Sequence, residues 1–185
     1  MNPLALALVF QVGLLAYHQV TTLCDFFPFN GVRFSTRRER LLEAGFNLLL
    51  MGAPPIGFVL GARWLMEFGA AYYVILFVVE CVTWWAPYFF GPSPKWREVY
   101  ARMHRLTITI VPRRGDNPAP NLEHMILMVL TLATAIVTLA AYRASPGPHF
   151  AHWIIIAAIG AVLITGATYQ TCLEGRGKSG GGPAV

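Results

Sequence analysis

Residues 18–47 read HQVTTLCDFFPFNGVRFSTRRERLLEAGFN, and this stretch decides the fold. It joins the polar end of one apolar segment to the polar start of the next through a basic connection. Asn30-Gly31 is a turn dipeptide. Thr36, followed three residues later by Glu39, forms a capping box that predicts a helix start near Thr36. The stretch therefore predicts two apolar helices linked by a basic turn.

The composition is that of an integral membrane protein. The 185 residues are 56% hydrophobic and 12% charged, whereas a soluble domain is about 25% charged. Apolar runs of about 20 residues recur, and each is long enough to cross a hydrocarbon core of about 30 Å. We expect one all-α bundle over residues 1–173 and a disordered tail at 174–185. Five transmembrane helices are predicted, at about residues 3–23, 40–62, 70–90, 122–142 and 150–172.

The positive charges predict how these helices are oriented. All but two of the 14 Lys and Arg residues lie in the first connection, the third connection or the tail. The two exceptions, Arg63 and Arg143, lie in the second and fourth connections. Cytoplasmic loops carry the excess of Lys and Arg in membrane proteins. A multi-pass protein of the cell membrane is therefore expected, with its N-terminus outside and its C-terminus and basic loops in the cytoplasm.

The third connection contains a further predicted helix, at about residues 94–105. Ser93 is a helix cap and Pro94 a first-turn residue. Apolar side chains then recur at helical spacing: Trp96, Val99, Tyr100 and Met103. This pattern predicts an amphipathic helix on the cytoplasmic leaflet with anionic lipid head groups as partners. A helix that packs under the bundle for structural reasons explains the pattern equally well. Nucleic acid is not an expected partner, because topology already explains the charges.

No metal and no cofactor is expected. The three cysteines are widely spaced and form no CxxC pair, so neither a disulfide framework nor a thiolate zinc site is indicated. Nucleotide-binding loops, metalloprotease motifs and hydrolase elbows are absent from the sequence. A metal site built from His18, His124, Glu43 and Glu123, or a haem between the two histidines, is a minor alternative.

Polar residues form one stripe on each apolar segment. Because a polar side chain that faces lipid is costly, the stripes predict a shared polar cavity inside the bundle, open toward the cytoplasm. Pro54 and Pro55 should kink the second helix and free backbone carbonyls, which neighbours or water must then satisfy. Gly57 and Gly61 would allow close contact between helices.

Glu80 is the first candidate for a functional residue. It lies ten residues from each end of its predicted helix, and so near the membrane midplane. A charged carboxylate costs at least about 2.5 kcal/mol at that depth, which favours the protonated acid. Glu80 is therefore a candidate proton donor or relay near neutral pH. The alternative is a glutamic acid that holds two helices together by a hydrogen bond.

Three further candidates lie nearer the cytoplasmic face. At 1.5 Å per residue, Glu43 lies about 5 Å inside that face, and Asn47 and His18 about 10 Å. Glu43 is a candidate acid or base, or else an ion-pair partner of Arg37 or Arg40. Asn47 is either a substrate contact or a clip between helices. His18 is either a base or ligand, or a structural residue.

These groups favour a small membrane-embedded enzyme that acts on a lipid-like or isoprenoid-like substrate. Glu80 would be the general acid, and Glu43 or His18 the base. Isomerisation or cyclisation fits best, because such reactions need no cofactor. The substrate-binding residues are predicted to be Asn47, Thr83, Trp84, Trp85, Tyr88 and Tyr169. Two alternatives stay open: a proton-coupled carrier or channel for a small solute, and a non-catalytic subunit of a larger membrane complex. A homo-oligomer is compatible with each of these functions.

Overall fold

A computed structural model describes residues 2–146 of the chain. In this range five α-helices and one 3₁₀ turn follow each other: α1 (Pro3–Leu23), the 3₁₀ turn (Val32–Phe34), α2 (Arg37–Leu60), α3 (Arg63–Phe90), α4 (Pro94–Met103) and α5 (Leu122–Ala144). No strand occurs in residues 2–146, where one isolated antiparallel bridge joins Thr109 and Asn121. The all-α prediction is confirmed for this part of the chain.

Four of the described helices are long and apolar enough to cross a membrane. They are α1, α2, α3 and α5, with 21, 24, 28 and 23 residues. These helices fit a helical membrane protein. The structure starts α2 at Arg37 and α3 at Arg63, several residues before the apolar runs begin. The predicted fifth segment at about 150–172 and the tail at 174–185 lie outside the described residues.

The four long helices form a closed ring. Helix α1 packs against α2, α2 against α3, α3 against α5, and α5 against α1. Two apolar clusters fill the interior, and Met51, Tyr73 and Leu14 are almost fully buried in one of them. The α2–α3 turn lies at the same end as the last described residues, because the Arg63 guanidinium donates to the Pro146 carbonyl oxygen over 3.1 Å. The connections at residues 24–36 and 91–121 lie at the other end.

Short polar signals set the helix ends as the sequence predicts. The Thr36 hydroxyl accepts from the Glu39 backbone N–H, and the Glu39 carboxylate accepts from the Thr36 backbone N–H over 2.7 Å. A Cβ at Gly57 would overlap Leu65, so Gly57 does permit close contact between α2 and α3. At Gly61 no close helix contact occurs within residues 2–146, because a Cβ there would meet none of their atoms within 4 Å. Gly61 instead ends α2 in the left-handed conformation, at φ 65°.

Residues 24–36 and 91–121, which we call the basic cap, fold against one end of the bundle. The buried Asn30 amide donates to the carbonyl oxygens of Thr21 and Cys24, over 2.9 and 2.8 Å. The Ile108 backbone N–H donates to the Pro28 carbonyl oxygen over 3.0 Å, which joins the two connections. An ion pair of 3.1 Å between Arg102 and Glu39 ties α4 to α2. The cap is therefore one packed unit.

Helix α4 is amphipathic, as predicted. Tyr100 is buried, and its hydroxyl oxygen accepts from the Ala119 backbone N–H over 3.1 Å. The charged side chains of α4 are exposed: Lys95, Arg97, Glu98 and Arg102. The helix ends at Met103, two residues before the predicted end at about residue 105. The next residue, His104, turns inward and is buried.

Candidate functional site

The Glu80 carboxyl group is buried between α3 and α5. Its Oε1 accepts a hydrogen bond from the Thr131 hydroxyl over 3.1 Å. Its Oε2 is buried and has no hydrogen-bond partner within residues 2–146. A buried carboxylate with one unsatisfied oxygen is energetically unfavourable. This environment therefore suits the neutral acid, whose single proton can be donated. The structure thus places Glu80 inside the bundle, as the sequence predicts.

His18 and Glu43 form a second pair, where α1 meets α2. The distance from His18 Nε2 to Glu43 Oε1 is 3.9 Å. The His18 side chain is 12% exposed and the Glu43 side chain 55% exposed, so the imidazole is sheltered while the carboxylate opens outward. The Thr22 hydroxyl lies 3.4 Å from His18 Nδ1 and helps to orient the ring. The structure thus brings the two candidate bases together.

Asn47 follows Glu43 by one turn and is bonded within its own helix. Its side-chain amide donates to the Glu43 carbonyl oxygen over 3.0 Å. The link between α1 and α2 at this level is made by Gln19, whose amide donates to the Ala44 carbonyl oxygen over 3.0 Å. Sequence reasoning missed Gln19, although a polar residue directly after His18 is a usable signal. No hydrogen bond to the Asn47 side-chain oxygen occurs within residues 2–146.

A cluster of buried and partly buried rings joins α3, α4 and α5. The ring centroids of Trp84 and His124 are 4.4 Å apart, those of Trp84 and His104 5.1 Å, and those of His104 and His124 5.2 Å. Trp96 of α4 packs edge-on against Trp84, with centroids 5.5 Å apart. Asn121 caps α5 and places its Oδ1 2.8 Å from His124 Nδ1. The basic cap and the bundle therefore meet in one aromatic cluster.

His104 is the member of this cluster that sequence reasoning missed. It follows an amphipathic helix and is flanked by Arg102 and Arg105, so it reads as part of the polar surface. Burial lowers the pKa of its imidazole from 6.5 to about 4. His104 is therefore neutral near pH 7. Its Nδ1 is buried without a hydrogen-bond partner among residues 2–146, as is Trp96 Nε1.

Glu123 connects the ring cluster to the His18–Glu43 pair. Its Oε2 lies 3.6 Å from His124 Nδ1, and its backbone carbonyl oxygen accepts from the Tyr17 hydroxyl over 2.8 Å. Its carboxyl is close enough to Glu43 for their charges to interact. The groups named for a minor metal alternative thus lie at one end of the bundle. However, no three His, Cys, Asp or Glu side chains within residues 2–146 are arranged to hold a metal ion.

The aromatic residues predicted to bind substrate do not share one face of α3. Trp84 follows Glu80 by one turn and lies on the same face of α3. Trp85 points about 140° away from Glu80 around the helix axis. Trp85 stacks on Phe89, with centroids 5.9 Å apart. The Tyr88 hydroxyl donates to the Pro112 carbonyl oxygen in the basic cap over 3.1 Å. Thr83 is half-buried, and Tyr169 lies outside the described residues.

A cavity of about 570 Å³ lies at the end of the bundle opposite the basic cap. Phe58, Arg63, Met66 and Pro146 are among its lining residues. This is not the end at which the sequence predicts a polar cavity, and none of the acid–base candidates lines it. It adjoins Pro146, the last described residue.

Comparison of the chain with protein-family models, with curated proteins and with solved structures finds no match in any of the three. The site must therefore be interpreted from its own geometry.

Proposed function

We propose that this protein is a membrane-embedded enzyme that uses acid–base chemistry on a lipid-like or isoprenoid-like substrate. The observation that carries the proposal is the His18–Glu43 pair. It combines a sheltered imidazole with a carboxylate that is exposed on the outer surface of the bundle. On a soluble protein, an exposed pair of this kind is common and does not indicate a function. Here the pair lies on helices apolar enough to cross a membrane.

The surroundings of Glu43 suit access from the lipid phase. Glu43 is seven residues past the cap at Thr36, which is about 10 Å along the helix axis. Its exposed neighbours Leu42 and Phe46 are 63% and 64% accessible and present apolar surface. An acyl or isoprenoid chain can lie against that surface and bring a reacting carbon to the carboxylate. The substrate then enters sideways from the leaflet.

The proposed reaction needs only proton transfers. In a double-bond isomerisation, an acid adds a proton to one carbon of the double bond, and a base removes a proton from a carbon next to the resulting cation. Atoms and electrons balance, and no cofactor is required. Glu43 or His18 is the proposed base, and Glu80 is the proposed acid. Because Glu80 is buried between α3 and α5, the reacting carbons must pass from the outer surface into the bundle to reach it. Trp84 lies one turn from Glu80, where its ring can stabilise a developing cation.

The proposal also fixes an orientation in the cell membrane. We infer five crossings, with the N-terminus outside and the basic cap and C-terminus in the cytoplasm. The described helices support this, since the end away from the basic cap carries only Arg63 and Arg143 among its Lys and Arg residues within 2–146. The exposed cations of α4, such as Lys95 and Arg97, are then placed for anionic head groups.

The test is turnover of a lipid extract in nanodiscs, followed by mass spectrometry of the lipids. A lipid consumed by the wild type should persist with Glu43→Gln and with His18→Asn. The matched control is Glu39→Gln, which alters a carboxylate on the same helix but can keep the capping bond at Thr36. The enzyme proposal would be refuted if all variants turned over the lipid equally. It would also be refuted if the wild type turned over no lipid class.

A proton-coupled carrier is the second candidate. The observation that favours it is the row of polar groups running inward from the basic cap: His104 and Glu80, which are buried, and His124, which is partly buried. Solute flux in liposomes that follows a pH gradient and is lost with Glu80→Gln would favour the carrier. A partner polypeptide present in equal amount after mild purification would instead favour a subunit of a larger complex.

A further inference from the structure

Arg40 is a partly buried cation without a partner for its Nε. It lies on the face of α2 that packs against α1, because it precedes Ala44 by one turn and Ala44 is buried against Gln19. Its Nε–H is buried and has no hydrogen-bond acceptor among residues 2–146. An unsatisfied donor on a charged group is unfavourable. The position therefore calls for an acceptor that the described chain does not supply.

Three carboxylates at this end of the molecule are engaged with other side chains. Glu43 turns to His18, Glu39 pairs with Arg102, and Asp25 pairs with Arg33 at 3.0 Å. Within residues 2–146 no ion pair reaches Arg40. Residues 2–146 thus leave the Arg40 Nε–H without an acceptor, and an anion that approaches the guanidinium can supply one.

We propose that Arg40 binds the phosphate of a lipid whose hydrocarbon chain lies along α1 and α2, which names the substrate class of the proposed enzyme and rests on that proposal. Arg40 is one turn closer to the basic end than Glu43, a separation of about 4.5 Å along the helix. In a lipid phosphate the charged group lies at the membrane surface and the first carbons lie a few ångströms deeper. One molecule can therefore contact both side chains.

The guanidinium suits this ligand for two reasons. Its planar fork donates two parallel hydrogen bonds to phosphate oxygens, which a lysine cannot reproduce. Arg37 and Arg38 are exposed nearby at the start of α2 and add positive charge that attracts an anionic head group. Those two residues change the local concentration of the anion, whereas Arg40 with its buried Nε fixes its position.

The experiment is native mass spectrometry of the full chain in mild detergent with added phosphatidic acid, and with diacylglycerol as the uncharged match. Arg40→Gln should weaken phosphatidic acid binding about tenfold or more, because it removes charge-assisted hydrogen bonds. Arg38→Gln, the matched control, should change binding less than about threefold. Arg40→Lys should fall between them. Equal losses for Arg40→Gln and Arg38→Gln, or equal wild-type binding of diacylglycerol, would overturn the proposal.

Two further arms remove the remaining ambiguities. Inorganic phosphate at the same concentration should leave lipid binding unchanged, and displacement by it would overturn a lipid ligand in favour of a free anion. Arg40→Gln removes an unsatisfied donor, so its thermal stability should at least equal that of the wild type, which separates lost binding from misfolding. Selective lipid binding without any turnover would keep this inference and end the enzyme proposal. Turnover that is unchanged by Arg40→Gln would overturn this inference and leave the enzyme proposal standing.

Discussion

The Tyr73 hydroxyl donates a hydrogen bond to the Met51 carbonyl oxygen over 3.2 Å. In a regular α-helix that carbonyl accepts from the N–H four residues later, but the residue there is Pro55, which has none. Tyr73 on α3 therefore replaces the donor that Pro55 removes from α2. Next to it, a Cβ at Gly69 would lie 2.6 Å from the Pro54 ring, so the glycine lets the two helices approach closely at the proline pair. The proline pair and its α3 neighbours form one packing unit.

Tyr73→Phe should destabilise the bundle by about 1–2 kcal/mol, because it leaves a buried carbonyl oxygen without a donor. Thermal unfolding in detergent measures the effect. Tyr72→Phe is the matched control, since Tyr72 stacks on Phe68 instead. If the two variants lose the same stability, the hydrogen bond to Met51 does not stabilise the contact between α2 and α3 at the proline pair.

Acid should loosen the basic cap through His104. Burial holds the pKa of His104 at about 4, below the 6.5 of an unfolded histidine. Between these values the unfolded chain binds more protons than the folded one, so stability falls as the pH drops from 6.5 to 4. The full effect is about 3 kcal/mol. Above pH 6.5 this group contributes no pH dependence.

His104→Phe keeps a ring against Trp84 and removes the titrating group. Its unfolding temperature should therefore fall less between pH 7 and pH 4.5 than that of the wild type. The two proteins should be compared in the same detergent at both pH values, because they differ only at residue 104. Parallel curves would show that His104 is not the group that responds to acid.

The orientation predicts which side of the membrane Cys24 faces. Cys24 is exposed where α1 ends and the basic cap begins. With Cys81 and Cys172 replaced by alanine, a membrane-impermeant maleimide should label Cys24 in inverted vesicles and not in intact cells. Ser145→Cys in the same background lies at the opposite end of the bundle and should show the reverse. Labelling of Cys24 from outside would invert the topology.

Local signals explain which parts of the fold could be predicted from the sequence. The caps at Thr36 and Ser93 follow from side chains within three residues, and both are confirmed. The start of α3 at Arg63 was harder to predict. The bilayer-crossing run is defined by hydropathy, whereas the helix extends through the less apolar turn that includes Glu67.

The candidate site was predictable only in its parts. Glu80 could be predicted from its position in the middle of a helix, because a lone carboxyl group in an apolar run must face the interior. The pairing of His18 with Glu43 depends on how α1 and α2 pack, and the burial of His104 depends on Trp84, which lies on another helix. No spacing rule links residues brought together by tertiary packing. Those relationships therefore needed the structure.

Deuterium uptake from heavy water tests the central claim of acid–base chemistry on a lipid most directly. Protein in nanodiscs that contain the lipid extract is incubated in D₂O, and the lipids are then analysed by mass spectrometry. Because an acid that exchanges with solvent places deuterium on carbon, one lipid class should gain mass with the wild type. It should gain little with Glu43→Gln or Glu80→Gln, and normally with Glu39→Gln. No deuterium on carbon in any lipid, or the same uptake in every variant, would contradict the account.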